Sequence, residues 1–183
     1  TIASGTNNGF NGEYSGFTTL STVNAGTAYV SGWEFTYLQN FTFLPGLLKG
    51  LSLSANYTVL DTHGKFTGTT NLKTGQVAGF IPKTGNLSVS WRYRGFSTRV
   101  LVNDTGEYVS TFNATSAGQI RYQGRRTIVN LGLAYQLNPR LSVTLDINNL
   151  FNEPISNFGG ISEQMTRTVI NGTTLNLGFT GRF

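Results

Sequence analysis

The sequence lacks cysteine and contains a single histidine, His63. Without cysteine, the chain has no disulfide framework, no thiolate metal site and no cysteine nucleophile. One histidine excludes a metal site built from several histidines of this chain. Charged residues are also scarce: they make up 11% of the 183 residues, whereas about 25% is typical of soluble domains. A composition so poor in charge disfavours a soluble enzyme.

Long apolar runs are absent as well, and no stretch of about 18 apolar residues offers a transmembrane helix. The 23 glycines and the aromatic content of 13% suit a lipid-facing β-sheet, which must close into a barrel because open sheet edges cannot face lipid. The net charge of +5 comes from scattered Arg and Lys residues. Since no basic stripe lies beside stacking aromatics, we expect no nucleic-acid partner.

Apolar and polar residues alternate along the end of the chain, from Thr173 to Phe183. One face of this stretch carries Leu175, Leu177, Phe179 and Phe183. A period of two predicts a β-strand with one apolar and one polar face. A closing strand of this kind, ending in an aromatic residue, is typical of outer-membrane β-barrels, in which the apolar face meets lipid and the polar face meets the lumen.

The same alternation predicts further strands upstream. They span Ala28–Phe43, Leu51–Asp61, Asn86–Tyr93, Phe96–Tyr108, Arg126–Gln136 and Leu141–Asn148. With a closing strand that starts near Thr168, the chain has about seven spanning strands, or eight if Tyr14–Val23 adds one. We predict that residues 1–25 form an extracellular loop leading into the first strand and that residues 26–183 form the transmembrane β-barrel strands.

Connections between the predicted strands alternate in length. Short turns at 45–50, 93–96 and 137–140 alternate with long loops at 62–78, 109–121 and 152–167. Outer-membrane barrels have short periplasmic turns and long extracellular loops, so the pattern predicts which end faces the periplasm. Aromatic residues near the strand ends fit the girdles at the two bilayer interfaces. They are Trp33, Tyr57, Trp91, Tyr93, Tyr108, Tyr135 and Phe183.

Residues 146–152 read DINNLFN and are followed by Glu153 and Pro154. The run resembles the C-terminal signature of TonB-dependent outer-membrane receptors, which Asn148, Asn149, Leu150, Phe151 and Asn152 carry here. Weaker resemblances cover AYVSGWEF at 28–35 and FIPKTGNLSVSWRY at 80–93. NLGFTGRF at 176–183 resembles the family's C-terminal assembly signal, carried here by Asn176, Gly178, Phe179 and Phe183.

The resemblance implies an all-β fold, an antiparallel transmembrane barrel segment that forms the C-terminal third of a barrel of about 22 strands around a plug. It implies a bacterial outer-membrane location and active uptake of a scarce solute such as a ferric siderophore, cobalamin or a glycan. Catalysis and a cofactor are not implied. The implied partners are outer-membrane lipid, the rest of the barrel and plug, a TonB-type energy coupler and the barrel-insertion machinery. A start at Thr1 without Met or a signal peptide fits the end of a longer protein.

Five charged residues lie on polar strand faces and are predicted to point into the lumen. They are Glu34, Arg92, Arg99, Asp146 and Arg182. In one interpretation they guide an anionic or polar solute or dock the plug. In the other, which we favour, they form inter-strand ion pairs worth about 0–1 kcal/mol each. Asp61, His63 and Lys65 meet at a strand–loop junction, where solvated loop residues are a better interpretation than a metal or chelate site.

Two other interpretations stay open. The chain is either a structural subunit of a larger membrane complex, with strands supplied by a partner chain, or a stand-alone barrel of eight strands. Small residues on the polar faces, such as Ser52, Ser54, Ser88 and Ser90, disfavour the second, because they leave a small barrel underfilled. A soluble β-sandwich is disfavoured by the long apolar rows beside few charges.

Overall fold

The computed structural model describes residues 12–18, 26–66, 75–113 and 116–181 of the protein. Its strands are β1 (Gly26–Asn40), β2 (Leu51–Phe66), β3 (Lys83–Tyr93), β4 (Phe96–Thr105), β5 (Tyr108–Thr111), β6 (Arg121–Gln123), β7 (Arg126–Asn138), β8 (Leu141–Asn148), β9 (Ile155–Gly159), β10 (Met165–Val169) and β11 (Thr174–Gly181). None of the helices among these residues is long and apolar enough to cross a membrane.

The long strands form one antiparallel sheet in the order β1-β2-β3-β4-β7-β8-β11. The predicted all-β, antiparallel fold and its seven long strands are confirmed. The sheet is open, with β1 and β11 as its edges. Residues 12–18 form turns rather than an eighth strand, and the rest of the predicted Tyr14–Val23 strand lies outside the described residues.

Two of the predicted long loops contain strands of their own. The β4–β7 connection carries β5 and β6, the β8–β11 connection carries β9 and β10, and together they form a second antiparallel sheet in the order β10-β9-β6-β5. The predicted start of the closing strand near Thr168 was wrong, because that stretch is β10 and the closing strand begins at Thr174. Likewise, β4 ends at Thr105 rather than at Tyr108. These strands have three to five residues, too few to show a period of two.

The short connections occupy the opposite end of the main sheet. A 3-10 helix, Gly46–Gly50, joins β1 to β2, while two-residue turns join β3 to β4 and β7 to β8. Arg94 adopts a positive φ of 51° in the first of these turns. Gly50 lies so close to the carbonyl oxygen of Arg92 that a side chain at Gly50 would collide with it.

Strand register places the apolar residues of neighbouring strands side by side on one face of the main sheet. One such row runs through Tyr93, Phe96, Tyr135, Val143 and Phe179. At the two edges of this face, Trp33 is 74% and Phe179 is 68% exposed, and the apolar residues of the central strand β4 are partly exposed. An exposed apolar surface of this extent marks contact with a membrane or another protein rather than with water.

The buried apolar side chains lie in or directly beside the second sheet instead. Among the described residues, Val109, Ile120 and Phe158 are the buried hydrophobic ones. The rings of Tyr122 and Phe158 stack with their centroids 5.2 Å apart, across the β6–β9 pair. The two connections therefore share a small core of their own.

Candidate functional site

The face of the main sheet opposite the apolar rows is largely polar. Most of its rows contain small hydroxyl and amide side chains, with a few apolar residues such as Leu38 and Leu101 among them. Thr36, Asn56, Asn86 and Asn103 form one row, and Ser52, Ser90 and Arg99 belong to another. Hydroxyl and amide groups donate and accept hydrogen bonds, so this face is suited to contact polar groups or water.

Two grooves cross this polar face towards the short connections. The larger has a volume of about 760 Å³ and is lined by residues of all the long strands except β11 and by residues of the β1–β2 connection. The smaller, of about 400 Å³, lies nearer the turns and includes Arg94 and Arg140. Arg92 and Ser97, which pair across β3 and β4, line both grooves.

Four of the five charged residues predicted to face the lumen lie on this polar face, and Arg182 lies outside the described residues. Glu34 accepts a hydrogen bond of 2.7 Å from the side-chain amide of Asn56. Arg99 donates to the hydroxyl of Ser88 at 3.3 Å. Within the described strands, none of the four takes part in an ion pair, so the favoured inter-strand pairing is not found there.

Sequence reasoning missed three further cations, which lie at the end of the sheet that carries the short connections. Lys49 lines the larger groove, and Arg94 and Arg140 line the smaller. Each of the three short connections supplies one of these residues. The signal was present in the sequence, since the alternation of short and long connections places all short turns at one end.

Asn149 lies at the other end of the sheet, where the β8–β11 connection begins. It is 8% exposed and has a positive φ of 53°. Its side-chain amide donates to the carbonyl oxygens of Glu153 and Gly172, both at 3.2 Å, and its side-chain oxygen accepts from the Glu153 amide at 2.8 Å. Its own backbone amide donates to the side chain of Asn130 at 2.9 Å. Asn149 therefore joins both ends of the connection to β7.

The other residues of the signature run surround this joint. Asn148 ends β8 and is exposed. The Leu150 amide donates to the carbonyl oxygen of Val129 at 2.8 Å, while the Phe151 side chain is 72% exposed. The Asn152 amide closes a turn on the carbonyl oxygen of Asn149 at 2.9 Å. In this geometry the run holds the backbone of the β8–β11 connection through hydrogen bonds.

The residues that resemble an assembly signal lie on both faces of β11. Asn176 pairs with Asp146 on the polar face, and Phe179 pairs with Val143 on the apolar face. A Cβ atom at Gly178 would lie 2.6 Å from the hydroxyl of Thr144, so this position favours glycine. Phe183 lies outside the described residues.

A polar cluster that sequence reasoning did not find joins β4 to the chain around β7. The guanidinium of Arg125 donates twice to the carboxylate of Asp104, at 3.0 and 3.1 Å, and the Thr127 hydroxyl donates to it at 2.6 Å. The hydrogen bonds to Asp104 raise the pKa of Arg125 above its ordinary value. Asp104 and Arg125 are 21 positions apart in the sequence. No local sequence pattern predicts that residues so far apart will pair.

Asp61 and His63 lie side by side on the apolar face near the long connections, with 2.9 Å between the imidazole nitrogen and the carboxylate oxygen. Both side chains are about 70% exposed, and that of Lys65 lies outside the described side chains. Within the part of the chain that the structure describes, no three His, Asp or Glu side chains are grouped to hold a metal ion.

A comparison with protein-family models shows to which family the chain belongs. A family model described as "TonB dependent receptor-like, beta-barrel" matches residues 1–150. The chain belongs to this family. TonB-dependent receptors are outer-membrane barrels that serve as transporters and receptors and are not a family of enzymes. Members of the family in general have a plug and couple to TonB. No curated protein matches the chain, and no solved structure matches it.

Proposed function

We propose that this chain forms barrel wall and extracellular connections of a TonB-dependent receptor that actively takes up a scarce solute across the bacterial outer membrane. Ferric siderophores, cobalamin and glycans are the solute classes that we propose. The observation that carries the proposal is the two-faced sheet in a chain of this family. One face carries continuous apolar rows that are exposed at the edge strands and partly exposed between them, and the other is largely polar and grooved.

The distribution of charge on the apolar face supports a membrane position. Asp61, Lys83 and Asp104 all lie near the long connections, and the apolar rows from that of Ala55 to that of Phe179 contain no charged residue on the described strands. Charged side chains are costly in the hydrocarbon region and tolerated at its boundary. We therefore assign the boundary of the outer leaflet to the level of Asp104.

The open edges of the sheet define the partners that the proposal requires. β1 and β11 each have an unpaired edge in the described structure, and unpaired backbone groups are not tolerated in lipid. We propose that the rest of the barrel pairs with both edges, that a plug occupies its interior, and that a TonB-type coupler supplies energy through the plug. Insertion would use the barrel-insertion machinery acting on β11.

Uptake by cells that carry the full-length receptor tests the function. The probes are radioiron-loaded catecholate, hydroxamate and carboxylate chelates, radiolabelled cobalamin and a labelled oligosaccharide. We expect accumulation of at least one probe, which is lost when the receptor gene or the TonB-type coupler gene is deleted or when a protonophore collapses the inner-membrane potential.

If the deletions leave the uptake of every probe unchanged, active transport is contradicted. In that case the open edges of the sheet would favour the alternative function, a structural subunit whose missing strands come from a partner chain. The intact mass of the detergent-extracted protein separates the two, because one covalent chain several times larger than 19.9 kDa carries its own remaining strands.

A further inference from the structure

The β1–β2 connection, residues 41–50, differs from the other two connections at its end of the main sheet. Two residues join β3 to β4 and two join β7 to β8, whereas ten residues separate Asn40 from Leu51. Phe43 is 71% exposed, and Leu47 and Leu48 are 53% and 54% exposed. Half of the ten residues are large and apolar, namely Phe41, Phe43, Leu44, Leu47 and Leu48. Because connections in contact with water are typically polar, this connection is suited to a different environment.

Strand register continues the apolar face of the main sheet into this connection. The Phe41 amide donates to the carbonyl oxygen of Leu51 at 3.0 Å, which places Phe41 beside Leu51 and Trp91 in one apolar row. The Phe43 ring packs against the Phe41 ring, with 5.9 Å between their centroids. The indole N–H of Trp91 donates to the carbonyl oxygen of Leu47 at 2.8 Å. The connection is therefore held at two points to the face that we place in lipid.

The same connection also has a polar side. Thr42 and Lys49 line the larger groove on the polar face of the main sheet, whereas Phe43, Leu47 and Leu48 line neither of the two grooves. The strands of a membrane barrel have the same arrangement, with apolar side chains towards lipid and polar ones towards the lumen. The exposed apolar side chains of the connection therefore extend the apolar face beyond the ends of the strands.

The depth of the connection agrees with the edge of a bilayer. Asp104, at the assigned boundary of the outer leaflet, is eight residues after Phe96 on β4. At about 3.4 Å per residue and a strand tilt of roughly 40°, this interval spans about 21 Å along the membrane normal. Since outer-membrane barrels carry an apolar band about 25 Å tall, the band ends slightly beyond Phe96. Trp91, which holds the connection, lies at this level, with 5.9 Å between its ring centroid and that of Phe96.

Side chains typical of a membrane–water interface surround the connection. The rings of Trp91 and Tyr93 stack with their centroids 6.1 Å apart, and the guanidinium carbon of Arg94 lies 5.2 Å from the centroid of the Tyr93 ring. Trp and Tyr are enriched at the headgroup level of a bilayer, where Arg keeps its stem in apolar surroundings and its charge in water. A phospholipid surface therefore matches this region, because it offers acyl chains to the apolar side chains and phosphates to Arg94.

We propose that the β1–β2 connection is a membrane anchor that inserts Phe43, Leu47 and Leu48 into the phospholipids of the periplasmic leaflet. The inference rests on the proposed function, which places the short connections on the periplasmic side of the outer membrane. Insertion is favourable because it removes apolar side chains from water, and the hydrogen bond from Trp91 holds the 3-10 helix against the barrel wall. The anchor opposes displacement of β1 and β2 towards the periplasm, since displacement would expose these side chains to water.

Photo-cross-linking of the full-length receptor in intact outer membranes tests the contact. A benzophenone amino acid replaces Leu48 in one variant and Phe43 in a second, and the matched control replaces Thr42 on the groove side of the same connection. We expect phospholipid adducts at both apolar positions with a yield about tenfold above that of Thr42, a ratio at the low end of the preference of a buried apolar side chain for apolar surroundings. A probe at Val100, in the apolar rows of β4, gives the reference yield for a side chain in lipid.

Four outcomes of this experiment would overturn the proposal. They are adducts of the Leu48 and Phe43 probes with a periplasmic protein, adducts with a second copy of the receptor, a phospholipid yield no higher than that of Thr42, and adducts with lipopolysaccharide. Lipopolysaccharide occupies the opposite leaflet, so the last outcome would place the connection on the extracellular side.

Substitution of the two leucines tests the apolar cause. In the Phe43 probe variant, Leu47→Glu with Leu48→Glu should lower the yield of phospholipid adducts about tenfold, because carboxylates are costly in apolar surroundings. Leu47→Met with Leu48→Met should retain the yield, since the volume and the apolar character are kept. An unchanged yield in the double Glu variant would overturn the inference even if coupler-dependent uptake is observed. Phospholipid adducts without coupler-dependent uptake would instead contradict the proposed function and support the anchor.

Discussion

At the scale of single residues, Asn149 shows how one side chain organises a long connection. Three side-chain hydrogen bonds hold Glu153 and Gly172, at the two ends of the connection. The Thr173 hydroxyl donates to the Asn149 carbonyl at 2.8 Å. Asparagine also tolerates the positive φ of this position better than most residues. The residue type is thus determined by backbone geometry and hydrogen bonding together.

We expect Asn149→Ala to destabilise the β8–β11 connection by about 1–3 kcal/mol, because each lost hydrogen bond contributes about 1 kcal/mol and its partners are left unsatisfied. Faster hydrogen exchange of the Glu153 amide in the detergent-solubilised receptor measures this local loss. The control is Asn148→Ala, since the Asn148 side chain is exposed. Equal exchange rates in the two variants would contradict the role of Asn149.

At the scale of elements, the second sheet couples two connections that are far apart in sequence. β6 belongs to the β4–β7 connection and β9 to the β8–β11 connection, and they pair directly, with Tyr122 opposite Phe158. The Gly160 amide donates to the carbonyl oxygen of Ile120 at 3.0 Å, and the Gly79 amide donates to that of Val109 at 2.8 Å. The Gly79 bond ties the β2–β3 connection to the same unit. Tyr108, which is predicted to lie in an aromatic girdle, is in β5 and donates its hydroxyl to Gln123 at 3.0 Å.

We expect Gln123→Cys with Asn157→Cys to form a disulfide, because these residues are direct partners across β6 and β9 and strand partners lie about 4.5–5.5 Å apart at Cα. The chain has no other cysteine, so mass spectrometry of linked peptides gives a clean measurement. Gln123→Cys with Thr168→Cys is the control: Thr168 lies one strand beyond β9, roughly 10 Å away. A disulfide in the control but not in the partner pair would contradict the observed register.

At the scale of the whole molecule, the apolar face of the main sheet is a surface of the chain. The buried apolar side chains belong to the two long connections. Val100 pairs with Val89 and Leu131 in the apolar rows, whereas Leu101, the next residue, pairs with Ser88 and Asn130 on the polar face. In water, exposure of the apolar rows would promote aggregation. In lipid, the same rows are stabilised, and the polar face remains free for contact with water or a plug.

We expect Val100→Arg to destabilise the membrane-inserted receptor by about 2–4 kcal/mol, the cost of a cation on the lipid face near the bilayer centre. Leu101→Arg removes a similar apolar side chain from the adjacent position but places the cation on the polar face, so its effect should be much smaller. The folded fraction in the outer-membrane fraction, read from heat-dependent mobility on gels, measures both. A larger loss for Leu101→Arg would mean that the faces are assigned in reverse.

By itself, the sequence determined the two-faced strands, their approximate number, the alternation of short and long connections, and the family resemblance of residues 146–152. These features are predictable because period-two alternation and turn residues are local signals. Only the tertiary structure decided that β5, β6, β9 and β10 form one sheet, that Asn149 joins three segments, and that the cations of the short turns share grooves with Arg92 and Arg99. The physical reason is that these contacts depend on which strands are neighbours: β7 lies between β4 and β8, which places their connections next to each other.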